Sequence, residues 1–142
     1  MSEFDLQIDK AIKDNDYSTI KNIIEQNKPI YLQEMHCKFA VRYERLNILK
    51  LFCENKFNWD IWTTTWCAQY GGPIRFEMLK YSRENGCPWD EIFIDNAIYY
   101  KNYDILQWAI KNGCPIKNVD VWIKKEFKSN NLVLYNKIFN ST

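Results

Sequence analysis

Cysteine–histidine catalysis needs the two side chains to meet, and the chain offers one adjacent pair, its only histidine His36 followed by Cys37. Consecutive residues on a helix point about 100° apart, so the two do not form a dyad by themselves. His36 is therefore read as packing at the start of a helix. The five cysteines are Cys37, Cys53, Cys67, Cys87 and Cys114. Their number is odd and no C-x-x-C pair occurs, which points away from a disulfide framework or a zinc site and toward buried free thiols. Gly71-Gly72 is the only double glycine, and no Lys-Ser/Thr follows it, so a phosphate-cradling loop is not supported. No catalytic, metal-binding or cofactor-binding residue is expected, and the chain is read as a non-enzyme.

One stretch recurs instead. Residues 84–91 read ENGCPWDE and residues 111–116 read KNGCPI. A reactive loop is normally built once, whereas a structural corner is built many times.

The composition suits a packed domain. Of 142 residues, 46% are hydrophobic and 16% aromatic, enough to bury a core. Nineteen basic residues face 18 acidic ones, a net charge of +1, so no general attraction to nucleic acid or anionic lipid is expected. Residues 1–34 carry 4 basic and 7 acidic residues, residues 35–110 carry 9 and 9, and residues 111–142 carry 6 and 2. The one asymmetry is a basic C-terminal end, expected as a solvated cap. The N-terminal MSEFDLQIDK is acidic and lacks the apolar run of a signal peptide. No stretch approaches the roughly 18 apolar residues of a membrane span. Asn140-Ser141-Thr142 spells a glycosylation sequon, with no secretion signal to support its use.

The corners organise the chain. Asn27, Asn55, Asn85 and Asn112 stand 28, 30 and 27 residues apart. Seven residues before each anchor stand Ile20, Ile48, Met78 and Ile105, and three before stand Ile24, Phe52, Ser82 and Ala109. These columns are one helical turn apart and share a face. Each anchor thus closes an amphipathic helix, with Asn-Gly as the stop signal at Asn85 and Asn112, and proline two or three residues beyond Asn27, Asn85 and Asn112 preventing continuation. A second column, Ala11, Ala40, Ala68 and Ala97, marks an earlier helix where only a small side chain fits against its partner. Each unit reads helix, turn, helix, loop. Units run approximately 5–34, 35–62, 63–92 and 93–118, with a polar C-terminal cap at 119–142, all in a single helical-repeat domain, 1–142. Short helix pairs cannot bury an apolar face alone, and stacked copies can.

The stretch TWCAQYGGPIRFEMLKYSRENGCPWDE (65–91) resembles one unit of the divergent ankyrin-type repeats abundant in giant viruses of amoebae. NAIYYKNYDILQWAIKNGCPI (96–116) matches with the same turn and the same Leu-x-Trp-Ala order, and Trp59-Asp60 stand in unit 2 where Trp89-Asp90 stand in unit 3. The T-P-L-H signature is absent, and units of 27–30 residues fall short of the roughly 33 of ankyrin. The resemblance implies an all-α, ankyrin-like helical-repeat solenoid of four to five helix pairs with shortened loops. It also implies a protein–protein interaction scaffold of a large DNA virus, acting in the host cytoplasm on a host or viral protein. No F-box is visible, so recruitment of a ubiquitin ligase is not implied.

The aromatics are the candidate contacts. Trp108 falls in a core column and is expected to be buried. Trp59 and Trp89 are expected to seal each corner against the next unit. Trp62, Trp66, Tyr70, Tyr99 and Tyr100 are the candidate partner-binding residues. The tyrosines are expected to project toward the inner surface of the stack, and Trp62 and Trp66 lie just after an irregular loop, so that binding would use the inner face and loop edges. Tyr and Trp bury much area at low entropy cost. Two other uses remain open. One is a homodimer or virion component paired through exposed aromatics. The other is nucleic-acid contact through Lys117, Lys124, Lys125, Lys128 and Lys137.

Overall fold

The computed structural model describes residues 3–26 and 34–140; the anchor Asn27 lies outside them. The described residues form ten helices and no strand: α1 (Glu3–Lys13), α2 (Tyr17–Gln26), α3 (Glu34–Arg42), α4 (Leu46–Glu54), α5 (Ile61–Tyr70), α6 (Pro73–Glu84), α7 (Glu91–Tyr99), α8 (Tyr103–Lys111), α9 (Val121–Asn130) and α10 (Leu132–Phe139). Each odd-numbered helix packs on the even-numbered helix that follows it. Successive odd-numbered helices also touch, from α1·α3 through α7·α9, and α2·α4 and α4·α6 touch in the same way.

The column residues make the core. Ile20, Ile48, Met78 and Ile105 are completely buried, and so are Ala40, Ala68 and Ala97. The alanine column has a backbone role as well. In the first two pairs and the fourth, the alanine carbonyl accepts from the N–H five residues on: Asp16 to Ala11 at 2.8 Å, Arg45 to Ala40 at 2.8 Å and Asn102 to Ala97 at 2.9 Å. This is the long bond of a Schellman cap. It requires a left-handed residue just before the donor, a place taken by Asn15, Glu44 and Lys101 with φ of 56°, 59° and 59°.

The second corner repeats the device. The side-chain amides of Asn55, Asn85 and Asn112 donate to the carbonyls of Leu51, Tyr81 and Trp108 at 2.9, 2.9 and 2.7 Å. The asparagines themselves keep negative φ. The left-handed residue is the next one, Lys56, Gly86 or Gly113, at φ 64°, 86° and 88°. The N–H of the residue after that returns to the helix, Phe57 to Phe52 and Cys87 to Ser82 at 2.9 Å each, and Cys114 to Ala109 at 3.0 Å. So NGCP spells a helix cap, a left-handed glycine, a buried cysteine and an outward proline.

Neighbouring pairs are tied through carbonyls at helix C-termini. Arg45 Nε and Nη2 donate to the Ile12 and Lys13 carbonyls at 3.0 and 2.8 Å. Arg75 does the same to Val41 and Arg42 at 3.0 and 2.7 Å. Asn102 Nδ2 donates to Ala68 at 2.6 Å. The bonds span 32 to 34 residues, one repeat plus a turn. At the last junction Asn131 instead caps its own helix α10, its Oδ1 accepting the Leu134 N–H at 3.2 Å.

Two sequence expectations need correction. Trp108 is only partly buried, because it lies at the rim of the core with its edge against Phe76 and Trp89. The C-terminal segment is not a polar cap. It is a fifth helix pair that buries Phe127, Leu134 and Ile138 while leaving Val121, Trp122, Leu132 and Val133 exposed.

Candidate functional site

The helices α5, α7 and α9 start alike. The Asp60 carboxylate accepts the Trp62 N–H at 2.9 Å, Asp90 that of Ile92 at 2.9 Å, and Asp120 those of Trp122 and Ile123 at 2.9 and 3.0 Å. Asp is a favoured cap because it satisfies N–H groups that have no partner in the first turn. The caps stand 30 residues apart. They place Trp62, Ile92 and Trp122 at one register, the second helical position, with exposures of 40%, 36% and 76%. The result is an apolar row crossing α5, α7 and α9.

Of the residues singled out from sequence, Trp62 belongs to this row. One turn on, Trp66 is half-buried, 5.9 Å from the Phe39 ring, with the Lys38 ammonium 5.4 Å from its centroid. Tyr70 follows one more turn along, edge-on to Trp66 at 5.9 Å and under the Arg75 guanidinium at 5.0 Å. Tyr99 and Tyr100 meet edge-to-face at 4.9 Å where α7 ends, and are 63% and 46% exposed. The five thus fall into an α5 group and an α7 group, and among the described residues no ring contact joins the two.

Ile92 and Trp122 were missed. Their signal was present in the triplets Asp60-Ile61-Trp62, Asp90-Glu91-Ile92 and Asp120-Val121-Trp122, whose third member is apolar each time. Only the first two corners carry the preceding tryptophan, which drew attention to Trp59 and Trp89 instead. Trp89 packs edge-on to Phe93 and Trp108, with the Arg83 guanidinium 4.3 Å from its ring. Trp59 is half-buried against the core.

His36 is buried at 1% exposure between two carboxylates of α1, with Nε2 2.9 Å from Asp5 Oδ1 and Nδ1 2.9 Å from Asp9 Oδ1. The ring binds α3 to α1 and packs against Phe52 and Phe57. Cys37 Sγ points elsewhere, toward the Asn58 carbonyl at 3.4 Å. The thiols of Cys87 and Cys114 reach the carbonyls of Asp60 and Asp90, both at 3.5 Å. Burial pushes each of these two up to about 12, and it pushes Cys67 up further still. A thiolate is the reactive form, so all three are chemically quiet in the fold.

At the basic end the lysines lie over rings: Lys124 over Phe139 at 4.6 Å, Lys125 over Trp122 at 5.7 Å and Lys128 over Tyr135 at 5.5 Å. Lys117 is exposed. Acidic groups gather where α7 and α9 begin. Burial, with Asp120, Asp90 and Glu91 nearby, raises the Asp95 carboxyl above the ordinary range, although Asp95 Oδ1 accepts the Asp120 N–H at 2.8 Å.

Comparison with protein families, with curated proteins and with solved structures finds no match to this chain. Among the described residues no helix is long and apolar enough to cross a membrane.

Proposed function

We propose that the chain is a non-catalytic protein-binding scaffold, a short ankyrin-like solenoid whose odd-numbered helices present the binding face. The observation that carries this reading is the set of large side chains left exposed, Trp62, Ile92 and Trp122 at one repeating position, Tyr70 and Tyr99 at another, and Tyr100 beside Tyr99. Exposed apolar side chains grouped in rows and rimmed by polar residues mark interaction surfaces. Rigid aromatics on rigid helices are the usual anchors of protein interfaces. The resemblance of units 3 and 4 to giant-virus repeats extends the reading to a viral protein that meets a host or viral partner in the host cytoplasm.

The test is affinity purification from expressing cells with the intact chain and with Tyr99→Ala/Tyr100→Ala. A specific protein that is enriched by the first and lost with the second, at unchanged thermal unfolding, supports the scaffold. Equal capture by both removes these tyrosines from the interface.

A second copy of the chain is the other occupant with support, from Val121, Trp122, Leu132 and Val133 exposed together on the last helix pair. Light scattering across a concentration series separates the two readings, since only self-association makes the mass rise with concentration.

A further inference from the structure

We infer that the row Trp62–Ile92–Trp122 takes an extended, basic partner segment carrying an apolar side chain at every third residue. This rests on the scaffold reading and narrows its partner.

The first ground is spacing. The three side chains occupy one register on consecutive packed helices, and packed helices lie about 8–10 Å apart. A polyproline-type segment rises about 3.1 Å per residue with three residues per turn, so its same-face side chains recur about every 9 Å. A β-strand repeats about every 6.6 Å along one face and falls out of step by the second helix. Aromatic-lined surfaces are the known chemistry for such segments, which lose little entropy on binding because they are already extended.

The second ground is charge. Five carboxylates flank the row: Asp60, Asp90, Glu91, Asp95 and Asp120. None forms an ion pair among the described residues. Asp60, Asp90 and Asp120 cap their helices, and Glu91 lies 3.5 Å from the Asn118 amide. Their mutual proximity is felt at Asp95, which Asp120, Asp90 and Glu91 all disfavour as an anion. Of the cations near the row, Lys125 lies over the Trp122 ring at its α9 end, Arg83 is held on Trp89 and the Cys87 carbonyl at 2.6 Å, and Lys117 is exposed. A lysine or arginine set between the partner's apolar residues neutralises this rim, and a phosphate backbone is repelled by it.

The experiment titrates the intact chain with a synthetic peptide of roughly four Leu-Pro-Lys repeats, about 37 Å long at about 3.1 Å per residue. Its Leu-Pro-Glu counterpart is the control, and amide chemical shifts are the readout. The Lys peptide is expected to shift the first turns of α5, α7 and α9, with affinity falling as ionic strength rises. The Glu peptide is expected to bind about tenfold more weakly or less. Ile92→Ala, Trp122→Ala and Glu91→Gln should each weaken the Lys peptide several-fold, up to about tenfold, the scale of one interface anchor, with thermal unfolding unchanged. Equal binding of the two peptides, no binding of either, indifference to all three variants, or a gain of helical circular dichroism by the bound peptide overturns the inference. A cellular protein captured through Trp62 by a chain that ignores the Lys peptide leaves the scaffold standing and removes this partner class.

Discussion

The side-chain amide of Asn102 donates to the carbonyl oxygen of Ala68 at 2.6 Å, across 34 residues of sequence. The third pair turns early: the Gly71 N–H bonds to Cys67 at 3.0 Å, so the Ala68 carbonyl lacks the cap that its column mates receive. Asn102 supplies it from the next pair. The two chain segments come so close that a Cβ on Gly71 would lie 2.4 Å from Asn102 Oδ1, and Gly71 has φ +66°.

Gly71→Ala should therefore destabilise for two reasons, the left-handed backbone and the collision with Asn102. Asn102→Ala leaves a carbonyl without its partner and is expected to cost about 1–3 kcal/mol. In a double-mutant cycle read by urea unfolding, the two changes should be strongly non-additive, because Asn102→Ala removes the group that the new methyl strikes. Additive losses would show that the collision is relieved elsewhere.

His36→Ala leaves Asp5 buried at 4% exposure without the imidazole. Leaving a buried polar group without one of its partners typically costs about 1–3 kcal/mol. The loss should fall first on α1 and α2, so hydrogen exchange there should rise more than in α7 and α8. Uniform loss of protection would mean that the first helix pair does not depend on this contact.

Thiol chemistry gives a solvent-side check. Cys37, Cys67, Cys87 and Cys114 are buried, and Cys53 is partly exposed. At neutral pH a thiol reagent should label Cys53 promptly and the other four only as fast as the fold opens, with all five reacting in denaturant. Rapid native labelling of Cys87 or Cys114 would mean that the corners are open.

The Asp95 carboxyl is raised above its ordinary range, chiefly by burial. Such a group contributes stability below its unfolded value and loses that contribution as pH rises through its folded value. Asp95→Asn keeps an acceptor for the Asp120 N–H and removes the charge. Its melting temperature should exceed that of the parent at pH 7 and match it at acid pH. The gain should stay within about 1 kcal/mol, because the group is only partly buried and solvent screens it. A variant less stable than the parent at pH 7 would show that the carboxylate, not the carbonyl oxygen, holds Asp120.

The helices were legible because two local signals recur: apolar residues a turn apart before each asparagine, and an alanine where helices approach. Both act within one helix pair and leave a periodic trace. The ties between pairs were not legible. Arg45, Arg75 and Asn102 share a position in the stack yet not a residue type, since a guanidinium and an amide can both reach a carbonyl. The His36 contact with Asp5 and Asp9 spans the stretch between the first two pairs and occurs once, so no periodicity announces it. Trp62 was legible as an exposed aromatic, while Ile92 and Trp122 were hidden because the exposed row is set by the aspartate caps before it rather than by the tryptophans beside those caps.

The central claim is that the open face of the odd-numbered helices, and not the opposite layer, meets a protein partner. The measurement that tests it most directly is quantitative capture from cells by three forms of the full chain: the parent, Trp62→Ser/Tyr99→Ser/Trp122→Ser, and Lys50→Ala/Glu77→Ala/Gln107→Ala on the exposed side of α4, α6 and α8. The account predicts that parent and even-helix variant capture the same protein in the same amount and that the odd-helix variant, equally folded, captures none. Capture lost by the even-helix variant and kept by the odd-helix variant would contradict it.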